Sequence, residues 1–157
     1  MNRCTPCDGI ESILHVYGDM LWRIARSLLS CAADAEDAIQ ETLLAYSSKR
    51  PRFKNPEHEK AWLIRVLTNK CRDIMRKRSR PVPATIPDTP PENSQTGILE
   101  ALACVPEKYR IVLVLHYVEG YTTNEIAAII HRTPSAVKMR LGKGRSLLEE
   151  IYRREYM

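Results

Sequence analysis

A chain of 157 residues, 44% of them hydrophobic, with 24 Lys/Arg against 19 Asp/Glu and a formal charge of +5, has room for one medium domain or two small ones and carries a mild basic excess that suits a polyanionic partner. Its longest apolar run, Ile111 to Leu115, falls far short of the roughly 20 residues of a membrane span, and the polar start Met1-Asn2-Arg3-Cys4 lacks the apolar stretch of a signal peptide. A cytoplasmic protein with no membrane association is expected.

Aromatics are sparse at 6%, while Leu, Ile and Ala recur at helical spacing with no strand pattern, so the fold class is all-α. Two small helical domains are expected, residues 1–80 and 96–157, joined by a flexible Pro-rich linker over 81–95, with the second domain ending in a helix-turn-helix.

In the first domain, Ile10, Ile13, Leu14, Tyr17, Leu21, Ile24 and Leu28 mark one face of a helix. Asp34 is placed to cap the next, whose stripe is Ala38, Ile39, Leu43 and Tyr46. Asn55-Pro56 reads as an N-cap followed by Pro at the first helical position of a third helix. That helix carries Trp62, Leu63, Val66, Leu67, Cys71 and Ile74 toward the basic end Arg76-Lys77-Arg78-Ser79-Arg80, where cations complement the helix dipole.

Charge is unevenly distributed along these helices. Asp34 to Glu41 holds four acids and no base, whereas Lys49 to Arg80 holds twelve Lys/Arg against Glu57, Glu59 and Asp73. Such a layout points to two different partners, one of them nucleic acid, although a charge run is also what any solvated helix face shows. Arg65, Asn69, Arg72, Asp73, Arg76 and Lys77 recur along one broad polar face suited to a nucleic-acid backbone, and the preceding loop adds Lys54 and the aromatic Phe53. For Phe53 and Trp62 packing is the stronger expectation.

From Pro81 to Gln95 there are five prolines, two acids and no base, too little apolar material to fold on its own. Helical spacing resumes with Ile98, Leu99 and Leu102, breaks at Pro106 and continues through Tyr109, Val112, Leu113 and Tyr117 to Gly120, placed to end that helix. Thr122 to Glu125 fits a capping box opening a short helix with Ile126, Ala127 and Ile130. After the tight turn His131-Arg132, Thr133 caps the last helix and Pro134 starts it. Two helices so closely joined make a helix-turn-helix, whose second helix would lie in the major groove. On this helix Val137, Leu141, Gly144 and Leu148 form the buried stripe. Ser135, Lys138, Met139, Gly142 and Lys143 face away, with Arg140 and Arg145 at the flanks. An ordinary amphipathic helix shows a similar basic side, but the capped, tightly turned partner before it favours DNA contact.

Five cysteines, an odd number in a chain without an export signal, argue against disulfides. Cys71 and Cys104 fall at apolar positions, where Cys acts as a small hydrophobe. Cys4-Thr5-Pro6-Cys7 can hold zinc or cycle as a dithiol, but zinc usually takes four ligands and only His15 and Cys31 are near in sequence. No metal and no cofactor is expected. Nor does any nucleophile-base pair, Gly-rich phosphate loop or carboxylate cluster support an enzyme.

The run Asp34-Ala35-Glu36-Asp37-Ala38-Ile39-Gln40-Glu41-Thr42, then Ala61-Trp62-Leu63, then Asn69-Lys70-Cys71-Arg72-Asp73 with Arg76, resembles the first conserved domain of bacterial sigma factors of the extracytoplasmic-function class. Glu119-Gly120-Tyr121-Thr122 through Glu125-Ile126-Ala127, then Thr133 to Leu141 and Arg145, resembles their last domain. The resemblance implies a transcription initiation factor that binds core RNA polymerase and promoter DNA, acts as a monomer when unbound, and can be held by an anti-sigma factor. It makes Asp37, Gln40 and Glu41 candidate polymerase contacts, and it assigns the melted minus-ten element to Lys54, Arg65, Asn69, Arg72, Arg76 and Lys77. It further gives the minus-thirty-five duplex to Thr133, Ser135, Lys138, Met139, Arg140 and Lys143. Two other readings stand beside it, a helix-turn-helix regulator acting without polymerase and a thiol or metal sensor built on Cys4 and Cys7.

Overall fold

The computed structural model describes residues 6–49, 51–78 and 96–156, with no strand among them. The first half contains α1 (Pro6–Leu28), α2 (Ala32–Lys49) and α3 (Pro56–Arg78). The second contains α4 (Thr96–Ala103), α5 (Glu107–Leu113), α6 (Thr123–Ile130) and α7 (Pro134–Tyr156), with a π-helical turn at Val114–Val118 continuing α5. The expected linker and the Cys4 and Cys7 thiols lie outside the described residues.

Local chemistry explains most helix starts. The Asn55 Oδ1 accepts from the His58 backbone N–H at 2.8 Å, so α3 is capped and Pro56 opens it without wasting a donor. Helix α2 begins earlier than the Asp34 cap predicts. Ala32 and Ala33 are strong helix formers, the Cys31 carbonyl already accepts from Ala35 N, and Asp34 sits inside the first turn, where its charge still suits the dipole.

Ile13, Leu21, Ile24 and Leu28 of α1 pack on Ala35 and Ala38 of α2 and on Leu63, Ile64, Leu67 and Cys71 of α3. Burial pushes the Cys71 thiol up to about 12. Leu14, expected inside, is 43% exposed, and Met20 and Ala25 occupy the core instead, because the buried stripe of α1 curves around both halves. In the second half Val105, Val112, Leu115, Ile126 and Val137 are fully buried. Tyr117 was expected on the same stripe as Tyr109 and Leu113 but is exposed. Ile111 to Leu115 are buried on every side of the helix, and Tyr117 falls in the π turn that follows, where Glu119 N bonds back five residues to Val114 O. Ile98 is likewise exposed on short α4.

The two halves share one continuous core and meet along α1, α3, α5 and α6. Arg65 Nε donates to the Ile129 carbonyl at 2.8 Å, and Arg23 forms an ion pair with Glu119 at 3.1 Å. Arg76 pairs with Glu107 at 2.9 Å, while the Lys60 ammonium lies 5.4 Å from the centre of the Tyr121 ring. In both ion pairs the arginine is more than half exposed while the acid is sheltered, Glu119 at 5% and Glu107 at 25% exposure, so water screens each pair from the arginine side.

Candidate nucleic-acid and polymerase interfaces

The end of the chain builds its helix-turn-helix from backbone chemistry. Gly120 takes a φ of 76°, which a Cβ would disfavour, and lets the chain leave the π turn toward α6. Thr122 Oγ1 accepts from Glu125 N at 3.2 Å and also meets the Glu125 carboxylate, so the N-terminus of α6 is capped as its sequence predicts. At the other end His131 adopts the left-handed conformation, and Arg132 N closes the turn on Ala127 O. Thr133 Oγ1 then accepts from Ala136 N at 3.2 Å, and Pro134 opens α7. The turn thereby aims the first two turns of α7 outward.

Val137 and Leu141 are buried, and Gly144 lies so close to Leu113 and Tyr109 that its missing side chain is what admits α7 against α5. On the opposite side Ser135 and Lys138 are exposed, and Met139 is 72% exposed. Lys143 is exposed with its ammonium 5.7 Å from the Tyr109 ring centre. Arg140 is half-buried, drawn toward α3 rather than left at an open flank. Burial, then the like charges of Arg132 and Arg72, hold its guanidinium below the usual arginine range.

The six expected minus-ten residues, five on α3 and Lys54 on the loop before it, do not share one solvent face. Asn69, Arg76 and Lys77 are exposed, Arg72 is half-buried, and Lys54 is exposed on the loop before the helix. Arg65 is bound to Ile129 across the domain contact, with burial lowering its pKa. Phe53 packs, as expected, with its ring 6.3 Å from Tyr46 and 5.9 Å from Trp62. Thr68, Asn69 and Arg72 line a cavity of about 100 Å³ together with Arg132 and Arg140, so residues expected on two separate DNA surfaces converge on one cleft.

On α2, Asp37, Gln40 and Glu41 are all exposed at helical steps of three and four, with Glu41 3.8 Å from Lys70. Leu44, one step further along this face, is 66% exposed. A single exposed leucine is ordinary on a protein surface, so the geometry here establishes an acidic, solvent-facing side of α2 and nothing more. The signal for Leu44 in the sequence was the Leu43-Leu44 pair, of which only one can face inward.

Residues 13–81 match the model of Sigma-70 region 2, and residues 96–148 match that of Sigma-70 region 4. The chain is 30% identical over 137 residues to the extracytoplasmic-function RNA polymerase sigma factor EcfG of Rhodopseudomonas palustris, covering 81% of this chain and 76% of that one. The chain belongs to the extracytoplasmic-function sigma factors. It directs RNA polymerase to promoters as a transcription initiation factor. This sigma factor is also 26% identical over 155 residues to the sigma factor CarQ of Myxococcus xanthus, covering 92% and 89% of the two chains. Its fold is similar to that of the sigma factor RpoE of Bartonella quintana, solved in complex with the anti-sigma factor NepR, with a TM-score of 0.75, 25% identity and coverage of 92% and 97%. It is also similar to CnrH, solved with the cytosolic domain of CnrY, with a TM-score of 0.72, 25% identity and coverage of 93% and 88%. The matched regions place α2 and α3 in the first half of the sigma factor and the helix-turn-helix in the second. Sequence reasoning missed the residues that join them: Arg23, Arg110 and Glu119 are ordinary charges until the fold is known.

Proposed function

We propose that this sigma factor works by binding alone, in the cytoplasm, without cofactor or catalytic step, and that its surfaces divide the work. The Asp37, Gln40, Glu41 and Leu44 face of α2 docks on core polymerase. Lys54, Arg65, Asn69, Arg72, Arg76 and Lys77 take the melted minus-ten strand, with Asn69 as a base reader. Thr133, Ser135, Lys138, Met139, Arg140 and Lys143 meet the minus-thirty-five duplex, Lys138 and Met139 at base edges and Lys143 at phosphate. Thr133 acts through the cap it provides, which sets the angle of α7. The domains are assigned to residues 1–80 and 96–157, with 81–95 between them, and the unbound chain is a monomer. An anti-sigma partner, of the kind held by the Bartonella quintana RpoE structure, belongs to the same reading.

The observation that carries this division is the outward face of α7: small, polar and cationic groups follow directly on a capped turn, while the opposite side is locked in the core. Purified core polymerase is the test. The chain should co-purify with core and support run-off transcription from an asymmetric promoter. Asp37→Arg should weaken core binding by at least tenfold with helicity unchanged, since Asp37 is exposed. Normal core binding by Asp37→Arg would refute docking through α2. Dimeric binding to a palindrome with no affinity for core would replace the reading with that of a stand-alone regulator.

A further inference from the structure

Where α3 faces the turn before α7, Arg65, Arg72, Lys108, Arg132 and Arg140 line one cavity of about 100 Å³ with Asn69 beside them and no carboxylate in the lining. Arg65 and Arg72 come from the first half, and Lys108, Arg132 and Arg140 from the second. Arg72, Arg132 and Arg140 have no ion-pair partner among the described residues, although the pairs Arg23–Glu119 and Arg76–Glu107 join the same two halves elsewhere. Bringing unpaired like charges together in a partly closed cleft is unfavourable, more so as water is excluded. The depressed pKa of Arg140 reports that repulsion from Arg132 and Arg72, after burial. An anion in the cleft would turn the repulsion into attraction. Guanidinium groups suit the oxygens of a phosphate, which they can bind in pairs, and a void of this size has room for one such group. A DNA duplex cannot enter unless the halves part.

We propose that this cleft binds a phosphate group, inorganic or at the end of a nucleoside diphosphate, which bridges the two halves and holds them together. The ligand would compete with DNA for Arg72 and Arg140. The site belongs to the free chain and does not depend on the polymerase reading.

Titration calorimetry of the full chain at fixed ionic strength, with sodium pyrophosphate in one arm and ADP in the other, tests the site. One saturable site is expected. Arg132→Ala and, separately, Lys108→Ala should each weaken it at least fivefold, while Arg153→Ala, at the far end of α7, should not change it. Both substituted residues are exposed, and circular dichroism checks that helicity is kept. Tighter pyrophosphate binding supports an inorganic ligand, and tighter ADP binding supports a nucleotide-borne one. On saturation, amide hydrogen exchange should slow both over residues 65–72 and over 130–140. The proposal is overturned if neither probe saturates, if Arg132→Ala and Lys108→Ala bind like the parent, if Arg153→Ala weakens binding equally, or if protection is confined to one half.

Discussion

The Arg110 guanidinium donates from Nη1 to the Leu28 carbonyl oxygen at 2.9 Å, joining α5 to the last residue of α1. The same side chain reaches the Val105 carbonyl at 2.8 Å, the Ala103 carbonyl that ends α4, and the Met75 sulfur of α3. Two helix C-termini, each with carbonyls unmatched within its helix and a partial negative charge, therefore converge on one cation.

Removing that cation leaves several carbonyls without a donor in a partly buried place. Arg110→Ala should lower stability by about 3 kcal/mol, the upper range for charged hydrogen bonds, and Arg110→Lys should recover only part because it lacks the fork. Urea unfolding measures both. A loss under ~0.5 kcal/mol for Arg110→Ala would mean that the junction is held by apolar contact alone.

The two DNA surfaces should separate by probe. Lys138→Ala is expected to weaken minus-thirty-five duplex binding by about 1–3 kcal/mol if the lysine reads a base edge. Loss of a phosphate contact alone would instead reduce the slope of log affinity against log salt by about 0.9. Asn69→Ala should leave duplex binding unchanged and reduce promoter opening seen by permanganate footprinting. Equal losses for both variants on duplex and single-stranded probes would contradict the division between α3 and α7.

Two glycines of α7 should respond in opposite ways. A Cβ at Gly142 meets nothing within 4 Å, so Gly142→Ala should stabilise by up to about 1 kcal/mol through helix propensity. At Gly144 a Cβ would lie 3.2 Å from Leu113 and from Tyr109, both buried, and Gly144→Val should cost about 2 kcal/mol from overpacking. Thermal unfolding of the two variants distinguishes them, and a stable Gly144→Val would place α7 farther from α5.

Cys71 supplies a pH dependence with a definite sign. Burial raises its thiol from 9.0 to about 12, so the folded chain keeps a proton that the unfolded chain releases. Stability from this group is fully present below pH 9 and is lost as pH climbs toward 12, at about 1.4 kcal/mol per unit. Between pH 8 and pH 10 the parent should lose about 1.4 kcal/mol more than Cys71→Ala in urea unfolding. Equal losses would show that the thiol reaches solvent.

By itself the sequence determined what depends on near neighbours along the chain. The Asn55, Thr122 and Thr133 caps, the glycine exit at Gly120, the turn at His131-Arg132 and the buried stripe of α7 all follow from bonds spanning a few residues, and all are found in place. The family resemblance was legible for the same reason, since its motifs sit on those local elements. Only the tertiary structure decided the contacts between halves. Helical periodicity says which face is apolar but not which neighbour covers it, so it could not reveal that Arg65 bonds Ile129 or that Arg110 gathers two helix ends. The π turn at Val114–Val118, which holds the exposed Tyr117, is likewise invisible to a 3.6-residue period. Charge behaves in the same way. Arg72, Arg132 and Arg140 are distant in sequence and unremarkable singly, and they become one electrostatic site only when packing of the shared core brings them to the same cleft.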